Sequence, residues 1–165
     1  MESPVTEKKS SSDGIARLET LETRAAIADL VHGYANNVRA GNTADCVKLF
    51  TADGSFEVRE DFFGGPDGGR TRSKVVGHAD IAAYLNRTAV AKIRVCPLIH
   101  NLVVRIDGLR ATSNCAMMSI IWPSGQKIVG EYHDSYRYEH GWRFSSRIFT
   151  IIGEFGPDPT ATQHN

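Results

Sequence analysis

Apolar residues recur three or four apart over the first quarter of the chain: Ile15, Leu18, Leu21, Ile27, Leu30, Val31, Tyr34 and Val38. That spacing is one face of an α-helix and predicts a helix from about Gly14 to Ala40. Gly41 ends it, as glycine does just past a helix C-terminus. A second, short helix is expected from about Thr43 to Phe50, with Val47, Leu49 and Phe50 as its apolar residues. Asp53-Gly54 then reads as a turn, and Ser55 to Arg59 alternates as a short strand. Residues 60–73, EDFFGGPDGGRTRS, carry four glycines and a proline. They predict a flexible loop or hairpin tip, either an ordinary surface loop or a lid in which Phe62 and Phe63 cover a pocket. A third helix is expected from Gly77 to about Ala89, with Ile81, Tyr84 and Leu85 on one face.

Beyond this point the helical period gives way to strands. Ile93–Ile106, Arg110–Trp122, Lys127–Tyr138 and Trp142–Phe155 are long β-type runs, separated by Asp107-Gly108, Pro123-Ser-Gly125 and Glu139-His-Gly141. Such short connections make hairpins. Three helices followed by an antiparallel meander give an α+β fold, in which one strongly bent sheet wraps over the first helix and leaves a cavity open at one end. The expected organisation is a disordered tail over residues 1–13, poor in apolar anchors, a domain over 14–155, and a C-terminal tail over 156–165.

Composition narrows the partners. At 165 residues, 41% hydrophobic and 23% charged, the chain suits one globular domain. Lys plus Arg and Asp plus Glu both number 19, a balance that argues against nucleic acid or an anionic membrane surface as partner. A neutral chain is prone to self-association, so an oligomer is expected. No apolar run is long enough for a signal peptide or a membrane span. The three cysteines, Cys46, Cys96 and Cys115, are odd in number and lack CxxC spacing, which suits reduced thiols in the cytoplasm. The histidines show no ligand spacing with carboxylates, and the glycine pairs make no phosphate loop, so neither a metal nor a cofactor is expected.

Local words sharpen the choice of fold. The opening RAAIADLVHGYANNVRAGNTADCVKLFTADGSFEV, the helix GHADIAAYL, the strand and turn HNLVVRIDGLRAT, and the hairpin GEYHDSYRYEHGWRFSSR occur in that order. Together they resemble the SnoaL-like members of the nuclear transport factor 2-like superfamily over about residues 15–152. The resemblance implies a cone-shaped curved sheet over three N-terminal helices, and a homodimer or homotrimer that covers the open sheet face. It also implies kinship with scytalone dehydratase, bile-acid dehydratase, hexachlorocyclohexane dehydrochlorinase and ketosteroid isomerase, alongside many members that only bind or scaffold. Fold alone does not choose among these.

The eliminating enzymes of that family pair an Asp late in the first helix with a His before the first long strand. The matching positions here hold Arg39 and Pro97, so the usual dyad is absent. Tyr34 matches a first-helix tyrosine that acts as hydrogen-bond donor or acid, although it could equally be a packed core tyrosine. Arg147 matches an arginine that assists leaving-group departure, or it pairs with Asp134 across the hairpin. His100 is the candidate base, since histidine titrates near neutrality. Strict alternation turns it away from the cavity, and a bulge at Pro97 would be needed to bring it back. Asp134 is costly to bury alone and needs Arg147, Arg39 or His100 as partner.

Arg39, Phe56, Cys115, Met117, Ser119 and Tyr132 complete the candidate substrate-binding set. The expected function is cofactor-independent lyase or isomerase chemistry, by acid–base catalysis, on an apolar aromatic or polycyclic small molecule. The alternatives are a binding or scaffold module, and an epoxide hydrolase or polyketide-cyclase-like enzyme.

Overall fold

The computed structural model describes residues 5–61 and 69–156. In chain order the elements are α1 (Val5–Ala40), α2 (Thr43–Lys48), β1 (Phe50–Glu60), β2 (Arg70–Val76), α3 (His78–Val90), β3 (Arg94–Asp107), β4 (Arg110–Trp122), β5 (Gln126–Tyr138) and β6 (Trp142–Phe155). The strands form one unclosed six-stranded sheet in the order β2-β1-β6-β5-β4-β3. All neighbours are antiparallel except β1 and β6, which run parallel. The expected α+β architecture is therefore present.

Two local differences from the sequence reading have physical causes. The helix α1 starts at Val5 rather than Gly14, so residues 5–13, expected as tail, are helical. Glu7, Lys8 and Lys9 have good helix propensity and can continue a helix already nucleated. Ile15, Leu18 and Leu21 in this first half stay exposed, and the buried stripe begins at Ile27. The strand β2 begins inside the segment read as a loop or hairpin tip and runs past it to Val76. It is an edge strand with mostly exposed residues, so it lacks the hydrophobic alternation that would announce it. The hairpin tip between β1 and β2, with Phe62 and Phe63, falls outside the described residues.

The core sits where α1 crosses the concave face of the sheet. Ile27, Val31 and Tyr34 of α1 meet Phe50, Phe56, Tyr132 and Phe144, and the Tyr34 ring lies 6.0–6.4 Å from the four aromatic rings of Phe50, Phe56, Tyr132 and Phe144. Edge-on and tilted aromatic contacts of this kind add to area burial. A bulge between Val129 and Gly130 bends β5 against β6. Gly130 is required there: a Cβ would lie 2.6 Å from the Phe149 ring and closer still to the Thr150 carbonyl oxygen.

Candidate functional site

Between the C-terminal ends of α1 and α3 and the concave face of the sheet lies a cavity of about 830 Å³. That is the size of a pocket for a small organic molecule. Strand alternation builds its wall. On β4, Met117, Ser119 and Ile121 point inward, and on β3 their register partners Ile99, Pro97 and Val95 share that face. Pro97 lines the cavity and His100 does not.

His100 pairs with Ala116 in the ladder, one step out of phase with the inward residues, and is exposed. No bulge falls at Pro97, where the register is unbroken; the shift in this ladder comes after His100, between His100 and Val103, where Asn101 takes a φ of +53°. The distortion comes too late in the strand to turn the imidazole inward. The candidate base is thus on the outer face, and the proposed His100–Asp134 pair does not form.

Asp134 is instead held by Arg147, its cross-strand partner. Arg147 Nε donates to Asp134 Oδ1 at 2.9 Å and Nη2 donates to Oδ2 at 2.8 Å. Both side chains are fully buried. Tyr136 donates to Asp134 Oδ2 at 3.1 Å and accepts from Ser113 at 2.6 Å. The guanidinium carbon of Arg147 lies 4.3 Å from the Tyr34 ring centre and 4.1 Å from those of Tyr132 and Phe144. Burial alone would lower the Arg147 pKa, but the charge and hydrogen bonds of Asp134 more than offset it and raise it. Neither member of the pair lines the cavity. The packed rings of Tyr34, Phe144 and Tyr132 occupy the space between, and Cys115 is likewise sealed below the floor. Arg147, Asp134 and Cys115 therefore lie behind the cavity lining and not in it.

The residues that do reach the cavity include Tyr34, Phe56, Met117, Ser119 and Tyr132, with Arg39 at the mouth. Burial raises the Tyr34 pKa well above that of a free phenol, with the neighbouring Tyr132 adding to the effect and Arg147 opposing it. Burial likewise raises Tyr132. Both are neutral donors at any ordinary pH. Cys46 also lines the cavity, but burial pushes its thiol up to about 11, so it is a poor nucleophile at neutral pH. The Ser119 hydroxyl is buried with no partner among the described residues. No three His, Cys, Asp or Glu side chains converge among the described residues as a metal would require. None of the described helices is long and apolar enough to cross a membrane.

Sequence reasoning missed much of the mouth. Arg72, Tyr84, Arg87, Lys92, Arg94 and Trp122 line it. They come from the start of β2, from α3, from the α3–β3 connection, from the start of β3 and from the end of β4, segments that only the folded chain brings together.

A profile of the SnoaL-like domain matches residues 19–148. The chain belongs to the SnoaL-like family. Solved structures agree on the fold. An NTF2-like protein with a cystatin-like fold from Novosphingobium aromaticivorans aligns at 22% identity over 86% of this chain and 89% of its own, with a TM-score of 0.67. A provisionally named scytalone dehydratase from the same organism aligns at 14% identity over 84% and 90%, TM-score 0.70. The hexachlorocyclohexane dehydrochlorinase LinA-type3 of Novosphingobium barchaimii aligns at 16% identity over 87% and 95%, TM-score 0.68. No curated protein matches the chain. At these identities the likeness to the solved structures speaks for the SnoaL-like fold alone.

Proposed function

We propose that this SnoaL-like chain is a cofactor-independent lyase or isomerase for an apolar aromatic or polycyclic small molecule, with Tyr34 as its proton donor. The observation that carries the proposal is the pair of neutral phenols, Tyr34 and Tyr132, that line the cavity while their rings rest on the buried Arg147 guanidinium. A neutral hydroxyl in a poorly solvated pocket is a strong donor to an oxygen gaining negative charge. The cation on the ring face favours the phenolate that forms when the proton leaves. Arg147 acts here as a positioning and electrostatic residue, fixed in turn by Asp134.

The described lining residues include no His, Asp or Glu. The proposal is therefore a reaction whose difficult step is departure of an oxygen. In a dehydration, the C–O bond breaks with its electron pair, and the departing hydroxyl takes the Tyr34 proton and leaves as water. The adjacent carbon loses its proton to cavity water, which returns a proton to Tyr34. An aromatic substrate supports this course by delocalising the electron-poor carbon left behind. The apolar wall of Phe56, Val58, Met117 and Phe149 suits such a substrate.

The same lack of a side-chain base favours one second reading, a ligand-binding module that does no chemistry. The two are separated by incubating the protein with hydroxylated and carbonyl-bearing aromatic and polycyclic compounds. Loss of water or isomerisation is followed by mass spectrometry and absorbance, with a cavity-filling Met117→Trp variant as control. Turnover that disappears in the filled variant supports the enzyme. Saturable binding without turnover across the panel supports the module and refutes the lyase.

A further inference from the structure

The cavity mouth carries a charge that the chain as a whole does not. Its described lining residues hold Arg39, Arg72, Arg87, Lys92 and Arg94, and no Asp or Glu, although acids and bases balance at 19 each over the sequence. Most of this charge is not neutralised nearby. Arg72 reaches Glu60 at 3.1 Å and Glu154 at 3.0 Å, and Glu60 is shared with Arg70. Arg87 lies 4.0 Å from the Tyr84 ring centre and pairs with no acid among the described residues. Among the described residues Arg39 donates only to the neutral Asn36 amide, at 3.1 Å. Lys92 and Arg94 have no side-chain ion pair or hydrogen bond among the described residues.

Part of the pattern has a structural cause. Arg39 and Arg87 stand in the last turns of α1 and α3, where a cation offsets the helix dipole. Two helix ends supply about one negative charge between them, too little to balance five cations even with the carboxylates on Arg72 counted. The mouth stays positive, above a wall of aromatic and aliphatic side chains.

We propose that the natural ligand is amphipathic: an apolar body enters the cavity, and an anionic group, carboxylate or phosphate, is held at the mouth by Arg39, Lys92 and Arg94. The inference names the substrate class for the site proposed above and rests on that cavity being the binding site. Guanidinium and ammonium groups recognise both anions through charge-assisted hydrogen bonds. A positive mouth also steers such ligands inward.

Calorimetric titration with a hydroxynaphthoic acid, its neutral methyl ester and a naphthyl phosphate tests this. At low salt an anion should bind about ten-fold tighter than the ester, the gain of one charge-assisted bond. That advantage should collapse in about 1 M salt, where screening is nearly complete. It should also be lost in a Lys92→Gln/Arg94→Gln variant that still binds the ester. The stronger of the acid and the phosphate identifies the anion. Equal binding of charged and neutral forms overturns the inference alone, as does an advantage that survives in the variant. Binding of none of the three overturns both it and the small-molecule reading of the cavity.

Discussion

Asp134 and Arg147 face each other across β5 and β6 and are joined by two hydrogen bonds, of 2.9 and 2.8 Å, with no solvent exposure on either side chain. The pair lies beneath the Tyr34 and Tyr132 rings that line the cavity. Aromatic rings cover the guanidinium, and its Nη1 finds no acceptor among the described residues. An arrangement of this kind is costly to assemble and costlier to halve, because removing one charge strands the other in an apolar medium.

The first prediction follows from that asymmetry. Asp134→Asn should destabilise the fold by about 3–5 kcal/mol in urea unfolding, since it leaves Arg147 buried without its counter-charge. An Asp134→Leu/Arg147→Met double variant should lose much less. Equal losses in the two would mean that the charges are not coupled as their geometry implies.

Ser119 offers the opposite case. Its hydroxyl is buried in the cavity wall without a partner among the described residues, so Ser119→Ala breaks no hydrogen bond seen there. Stability should stay within about 0.5 kcal/mol or rise, while affinity for a ligand that meets the hydroxyl falls. A large loss of stability in thermal unfolding would show that the hydroxyl has a structural partner.

His100 is predicted to be dispensable. It is exposed on the outer face of β3, and His100→Ala should leave turnover within about two-fold and stability within about 0.5 kcal/mol, as for other surface substitutions. Steady-state kinetics of the variant are the check.

Much of the fold was legible because it rests on local signals. The spacing of Ile27, Val31, Tyr34 and Val38 marks α1, and Asp107-Gly108 marks a hairpin. The two-residue period places Tyr132, Asp134 and Tyr136 on one face, so the Asp134–Arg147 pairing was one of the partnerships the sequence allowed. The parallel β1–β6 contact was not legible, since it joins strands about ninety residues apart through no local motif. Nor was the face of His100, which depends on where one bulge falls. The cationic mouth was hidden for the same reason as β1–β6: Arg39, Arg72, Lys92 and Arg94 converge only when the sheet bends over α1.

A pH dependence belongs to the outer face of β1. Glu57 is almost fully buried and accepts from Arg59 at 2.6 Å and Thr71 at 2.7 Å, with Lys74 at 3.4 Å. The Arg59 hydrogen bond, chiefly, holds its carboxyl down at about 2, against 4.5 for the free group. A lowered carboxylate stabilises the fold above its unfolded pKa, and that contribution is lost as pH falls from about 4.5 through about 2. Acid titration of wild type and Glu57→Gln by circular dichroism should therefore show a smaller loss of stability in the variant over that window. Parallel acid unfolding curves would remove Glu57 from the account.

The central claim is that Tyr34 gives a proton to the departing oxygen, and Tyr34→Phe tests it most directly. The substitution keeps the ring that packs on Phe50, Phe144 and Arg147 and removes only the hydroxyl. With a substrate in hand, kcat should fall about a hundred-fold or more, the usual contribution of a general acid, while the calorimetric Kd changes by no more than a few-fold. An unchanged kcat in a folded Tyr34→Phe protein would contradict the claim.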